Sequence, residues 1–380
     1  MKIVIAMDSF KGTLKAYEAC KIVSNAIADI LPDVITVIKP MADGGEGTAK
    51  AMIEAANGLW IPRIAMGPLR QMQVEAGFAW FKDSTALVEM AAASGLELLR
   101  PAQFNPLKTT TYGTGQLIKA AMQHGANKVL LAVGGSATID GGVGAAMALG
   151  WKFLDYHKNP VPLGGGGLEK IAKIIRPEQS LLLNRDGKPV AVEVLSDVDN
   201  TLCGEHGAAE VYGPQKGATP QMVKILERGL ANLAKLAREQ LGKDIENIPG
   251  AGAAGGLAAG AVAFMDAAIV SGIETVMARS NLLAELESAD WVITGEGSFD
   301  RQSLYGKVVS GILKMAQQTE TRVAVLAGQV NIPESEYQKL GITAAVASKP
   351  EDMPLAQALG QSRPLLTAAA KRFAAQHLSG

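Results

Sequence analysis

Short apolar runs alternate with longer amphipathic stretches from the first residues of this chain. Lys2-Ile3-Val4-Ile5-Ala6 predicts a buried strand, and Met7-Asp8-Ser9-Phe10-Lys11-Gly12 predicts a loop. From Thr13, apolar residues at Ala19, Ile22, Val23, Ala26, Ile27 and Ile30 repeat at the spacing of one helix face, and Pro32 stops the pattern. Residues 34–38 predict a second strand and residues 41–47 a second loop, followed by a helix through Met52, Ile53 and Ala56 to Gly58. The same order returns at the other end. Trp291-Val292-Ile293 leads into a loop and a helix through Val308, Ile312 and Met315. Arg322–Ala327 and residues 344–347 predict further strands, and a closing helix runs to about Leu378. Strands and helices in alternation across short loops predict a parallel sheet covered on both faces.

The middle of the chain follows another pattern. Residues 77–88 predict a β-hairpin, residues 128–133 and 190–195 predict strands, and the helices among them are rich in Gly and Ala. A length of 380 residues is more than one ordinary core organises. The expected fold class is α/β: a Rossmann-like (flavodoxin-like) parallel-sheet domain built from both chain ends, 1–68 plus 284–380, with a large inserted mixed α/β domain over 69–283.

Composition narrows the function classes. Lys+Arg (36) and Asp+Glu (37) balance to a net charge of −1, which lacks the basic excess of a nucleic-acid or anionic-membrane binder. Cys20 and Cys203 form no disulfide framework and suit a reducing compartment. The apolar start is too short for a signal-peptide core, and the Gly/Ala-rich stretch 250–265 is too short for a bilayer span. A cytoplasmic protein with a small-molecule partner is expected, without nucleic acid or membrane, and a homo-oligomer is compatible with the sequence.

The 42 glycines fall mostly in clusters with polar side chains alongside, where positive φ and close approach of backbone to a ligand are permitted. In open parallel sheets, ligands bind beyond the carboxyl ends of strands. The loops after predicted strands there carry Asp8, Ser9, Lys11, Asp43, Glu46, Glu296, Asp300 and Arg301. The inserted region adds Gly134-Gly135-Ser136-Ala137-Thr138 and Ser196-Asp197-Val198-Asp199-Asn200 after its own strands. Gly-rich backbone with Ser and Thr supplies phosphate donors. The pair Asp197/Asp199 suits Mg²⁺, which takes one or two carboxylates and completes its shell with phosphate and water. Each group alone has an ordinary structural reading: the aspartates as turn caps, Lys11 and Lys216 as solvated lysines. Their convergence points to phosphoryl transfer.

Rival motifs fare worse. Gly250-Ala-Gly-Ala-Ala-Gly255 satisfies GxGxxG, but no clear strand precedes it and no acidic residue lies about 20 positions beyond, as a nicotinamide site requires. Gly306-Lys307 is followed by Val308, so there is no P-loop, and neither HExxH nor GxSxG occurs.

Taken in order, KIVIAMDSFKGTL, PMADGGEGT, GGSATIDGG, LSDVDNTLCG, GPQKGAT, PGAGAAGG and ITGEGSFDRQSLYGK resemble the bacterial type 1 glycerate kinases from residue 1 to about 350. That family usually has Pro at position 7, Asn at 139 and Pro at 201, where this chain has Met7, Ile139 and Thr201. The resemblance implies two α/β domains with the active site in the cleft between them. It implies ATP and Mg²⁺ as cofactors and D-glycerate as the acceptor, most often at the 2-hydroxyl. The loops and the resemblance together nominate Asp197, Asp300 and Lys11 as catalytic and Asp197 and Asp199 as metal ligands. Asp8, Ser9, Asp43, Glu46 and Arg301 are nominated for substrate, with Gly134, Gly135, Ser136, Thr138, Gly252, Gly255 and Lys216 for the nucleotide. A 3-phosphate product, an NAD-dependent hydroxy-acid dehydrogenase and a non-catalytic bilobal binding protein are the alternatives.

Overall fold

Five parallel strands from both chain ends share one sheet, in the order Ile342–Ala347, Arg322–Ala327, Trp291–Thr294, Lys2–Ile5, Ile35–Ile38. Counted along the chain this is the 2-1-3-4-5 order of flavodoxin-like sheets. The computed structural model describes residues 1–380 except Lys11, Asp43, Glu46, residues 179–181, Tyr305, Gly306, Ser379 and Gly380. The chain divides into two compact units: Met1–Asp43 with Lys50–Gly58 and Ile273–Gly380, and Gly44–Ala49 with Leu59–Gly272.

In the first unit, Ile3 lies opposite Trp291 and Ile5 opposite Ile293. Ile3, Val4 and Ile5 are all inaccessible, as an unbroken apolar run in a sheet covered on both faces must be. One face packs on Val23 and Ile27 of helix Ala16–Ala28 and on Leu366 and Phe373 of helix Ser362–His377. Phe373 meets Trp291 edge-on, with ring centroids 5.4 Å apart. Burying each such side chain contributes about 1.5–3 kcal/mol. The helix expected from Thr13 begins at Ala16 instead, because Thr13 closes a turn: its Oγ1 donates to Phe10 O (3.0 Å), while Phe10 N donates to Leu14 O (2.8 Å).

The second unit holds a six-stranded mixed sheet: Ala268–Val270, Ala191–Leu195, Lys128–Ala132, Thr85–Glu89, Gln73–Trp80, Leu59–Met66. The first four strands run parallel and the last two antiparallel. The inserted unit starts ten residues before the expected 69 and ends at Gly272, short of 283. The early start has a clear cause. Leu59–Met66 pairs with Gln73–Trp80 along its whole length, and Pro62 does not break it because this strand is the sheet edge, where a missing N–H is tolerated. Gly44–Ala49 joins the same unit through Gly134 N to Gly44 O (3.3 Å) and Ala49 N to Glu89 Oε1 (2.6 Å).

The Gly/Ala-rich stretch becomes helix Ala253–Met265, buried all round rather than on one face. Its opening is irregular, with Ala254, Gly255 and Gly256 in the left-handed region.

Candidate active site

Both sheets present loops at the carboxyl ends of their parallel strands. In the first unit the ladder continues past the strands: Asp8 N donates to Gly295 O (2.9 Å), Met41 N to Met7 O (2.9 Å) and Gly328 N to Glu296 O (3.1 Å). The loops carrying Asp8-Ser9 and Gly295-Glu296-Gly297 therefore leave side by side, at the switch point between the first and third strands of the flavodoxin order. Gly295 is required there, since a Cβ would lie 1.8 Å from Leu326 O. Asp8 and Ser9 are half-buried, and Ser9 N donates to Asp8 Oδ1 (2.6 Å). Lys11, Asp43 and Glu46 lie outside the described residues.

Asp300 and Arg301 have more local occupations than expected. Asp300 Oδ1 accepts from Gln302 N (2.8 Å) and its N–H donates to Ser303 Oγ (3.2 Å), closing the 3₁₀ turn Arg301–Leu304. Arg301 forms a two-pronged pair with Glu336, Nε to Oε1 and Nη2 to Oε2, both 3.0 Å. Its guanidinium fork is thus directed at a carboxylate of the protein itself.

In the second unit, strands Lys128–Ala132 and Ala191–Leu195 are neighbours in register, Ala132 opposite Leu195, so loops 133–142 and 196–200 emerge together. Gly134 and Ser136 are half-exposed and Gly135 is exposed, while residues 137–140 are buried. Only the tip of the Gly-rich loop is open to a ligand.

Beneath that tip sits Lys216, 2% exposed, with Nζ donating to Ser136 Oγ (2.7 Å) and Thr138 O (2.8 Å). Burial pushes its ammonium down to about 7, partly offset by the Asp140 carboxylate. Lys216 therefore holds the loop from inside and does not project from it, and Thr138 is fully buried with its Oγ1 unpartnered. Both placements have one cause: the loop folds back over the core. Gly252 and Gly255 are likewise explained by packing. A Cβ at Gly252 would lie 2.3 Å from Thr201 O and one at Gly255 2.0 Å from Thr138 O, and Gly252 N donates to Asn200 O (2.9 Å). These glycines admit the close approach of protein backbone.

Asp197 is held at the strand end by two donors. Its Oδ1 accepts from Ser271 Oγ (2.7 Å) and Gly272 N (3.1 Å). Asp199 is exposed, two residues on. Among the described residues no three His, Cys, Asp or Glu side chains cluster as a metal site.

Asp140 was missed as an organiser. It is 1% exposed and accepts from Thr110 Oγ1 (3.2 Å), Thr111 N (2.8 Å), Thr111 Oγ1 (3.0 Å), Gly142 N (3.2 Å) and Gly144 N (3.3 Å). Burial raises its pKa, and the Thr111 and Gly142 donors pull it back. Its place inside GGSATIDGG was visible, but no spacing rule links it to Thr110-Thr111. Ile139, where Asn is usual in the resembled family, is fully buried in the core.

The glycerate kinase family model matches residues 3–378. The chain belongs to the glycerate kinase family. It is thereby an enzyme of the kinase class. It is 41% identical to the glycerate kinase of Halalkalibacterium halodurans over 98% of this chain and 97% of that one. It is also 41% identical to the glycerate 2-kinase of Escherichia coli, over 90% of this chain and 89% of that one. The crystal structure of a putative glycerate kinase 2 from Salmonella typhimurium LT2 superposes with a TM-score of 0.84 at 39% identity, covering 100% of this chain and 99% of that chain. In this glycerate kinase family member, no helix among the described residues is long and apolar enough to cross a membrane. Both cysteines are free thiols.

Proposed function

We propose that this enzyme transfers the terminal phosphoryl group of ATP to the 2-hydroxyl of D-glycerate, with Mg²⁺, in the cytoplasm. Family membership supports glycerate and a nucleotide donor, and the Escherichia coli relative named glycerate 2-kinase supports the 2-position. The observation that carries the chemistry is Asp197, held by two donors at a strand end beside the open tip of a Gly-rich loop.

The donor chemistry fits the cofactors. The accessible tip at Gly135-Ser136 offers backbone and hydroxyl donors suited to phosphate oxygens. Asp197 with exposed Asp199 fits Mg²⁺, which needs only one or two carboxylates when phosphates complete its shell. ATP would supply the transferred group, and the metal would neutralise charge developing on it.

The chain's own task is positioning. Asp197 accepts the proton of the attacking hydroxyl or anchors the metal, and Asp8, Ser9, Lys11, Asp43 and Glu46 are the candidates for orienting glycerate. The nicotinamide reading loses support, since both Gly252 and Gly255 are packed against protein backbone.

ADP release should require both Mg²⁺ and D-glycerate, and phosphorus NMR should identify the 2-phosphate. NAD(P)-linked oxidation of glycerate without ATP would overturn the reading, and a 3-phosphate product would correct the position.

A further inference from the structure

Asp197 owes its orientation to residues 74 and 75 positions away in sequence. Strands Ala191–Leu195 and Ala268–Val270 run parallel with Leu195 opposite Val270. The ladder extends one step further, Ser196 N donating to Val270 O (3.0 Å). The two chains therefore leave the sheet together, and the residue after Ser196 arrives beside the residue after Val270. Ser271 stands directly before helix Gly272–Arg279, where a Ser commonly serves as cap. Its hydroxyl hydrogen goes to Asp197 Oδ1, and Gly272, the first residue of the helix, donates its N–H to the same oxygen.

Two donors from different directions on one carboxylate oxygen remove the freedom of the χ2 torsion, which is otherwise broad for Asp. Gly272 is buried, so its N–H is a fixed point, whereas Ser271 Oγ is the part of the arrangement that a side-chain substitution can remove. In-line phosphoryl transfer tolerates little misplacement of the group that meets the hydroxyl or the metal.

We infer that Ser271 is a positioning residue for phosphoryl transfer, its hydroxyl holding the Asp197 carboxylate at the orientation the reaction uses. The inference rests on Asp197 serving the reaction, and the test separates the two. Ser271→Ala, Ser271→Thr and Asp197→Asn are compared in the full chain for kcat, for KM toward D-glycerate and ATP, for MgATP affinity by calorimetry, and for thermal unfolding.

Ser271→Ala should lower kcat about 10-fold, the loss of one charge-assisted hydrogen bond, while both KM values stay within about 2-fold. MgATP affinity measured without glycerate and the unfolding temperature should stay close to parental. Ser271→Thr keeps the hydroxyl and should restore most of kcat. A merely structural role would lower the unfolding temperature and scatter both KM values, and Thr, with its extra methyl, would not rescue it.

Parental kcat in Ser271→Ala alongside an inactive Asp197→Asn overturns the positioning role and leaves Asp197 in place. Parental turnover in Asp197→Asn overturns both. If Ser271→Ala does not fold, Ser271→Cys replaces it, keeping the size with a weaker donor; its kcat must then fall between those of Ser271→Thr and Asp197→Asn, and any other order refutes the role.

Discussion

Lys216→Met isolates what a buried amine does for the Gly-rich loop. The side chain keeps its length and loses both its donors and its titration. In the native protein burial holds the ammonium at about 7, against an ordinary value of 10.5. Between those two values the unfolded chain binds a proton that the native chain does not. Stability of the parental protein therefore rises with pH through this window, and the cost of burying the charge is fully present below about 7. The slope reaches about 1.4 kcal/mol per pH unit, so from pH 7 to pH 9 the parental protein should gain about 2 kcal/mol that the Met variant cannot. Set against this is a loss that does not depend on pH. Thr138 O is buried and Ser136 Oγ half-buried, and without Nζ the carbonyl is left unsatisfied at a cost of about 1–3 kcal/mol. The groups facing Nζ are Asp140, whose carboxylate favours the charged form, and the Tyr212 ring with its centroid 5.8 Å away; both remain in the variant. Urea unfolding at pH 6, 7, 8 and 9 at constant ionic strength, followed by circular dichroism, reads the difference. The gap between parent and variant should widen in the parent's favour above about pH 7 and level off below it. A gap that is flat across the range, or that widens toward acid, refutes the assignment of a buried amine that deprotonates near neutrality.

Asp197→Asn should lower turnover about 10²–10⁴-fold at saturating ATP, Mg²⁺ and glycerate with the unfolding midpoint retained; near-parental turnover would move the search to Asp8, Asp43 and Asp300. Gly255→Ala places a Cβ 2.0 Å from Thr138 O at a φ of +67°, so a loss of about 2–5 kcal/mol is expected from backbone strain and overpacking together. An unchanged unfolding midpoint in that variant would show that the close approach of the two backbones is not real.

Periodicity marked the main strands and helices at the two chain ends, though not the short helices Glu334–Lys339 and Leu355–Gly360. Val23 and Ile27 fell on one helical face, and the apolar runs at Ile3–Ile5 and Trp291–Ile293 were long enough for strands and too short for helices. These are local properties, decided within a few residues by side-chain burial. The loops after those strands were also legible, because Gly and carboxylates clustered where the apolar pattern stopped. What the tertiary structure decided concerns partners far apart along the chain. Pro62 sits inside a strand only because that strand is the sheet edge, where a missing N–H is tolerated. Lys216 reads as a solvated lysine until the loop it supports closes over it. The close approach of Gly255 to Thr138 exists only because helix Ala253–Met265 meets the Gly-rich loop. Asp197 was visible as a carboxylate after a strand, but its anchor at Ser271 depends on the parallel register of Leu195 with Val270. Register between strands joined by a long crossover is set by the packing of everything between them, so no window of sequence contains it.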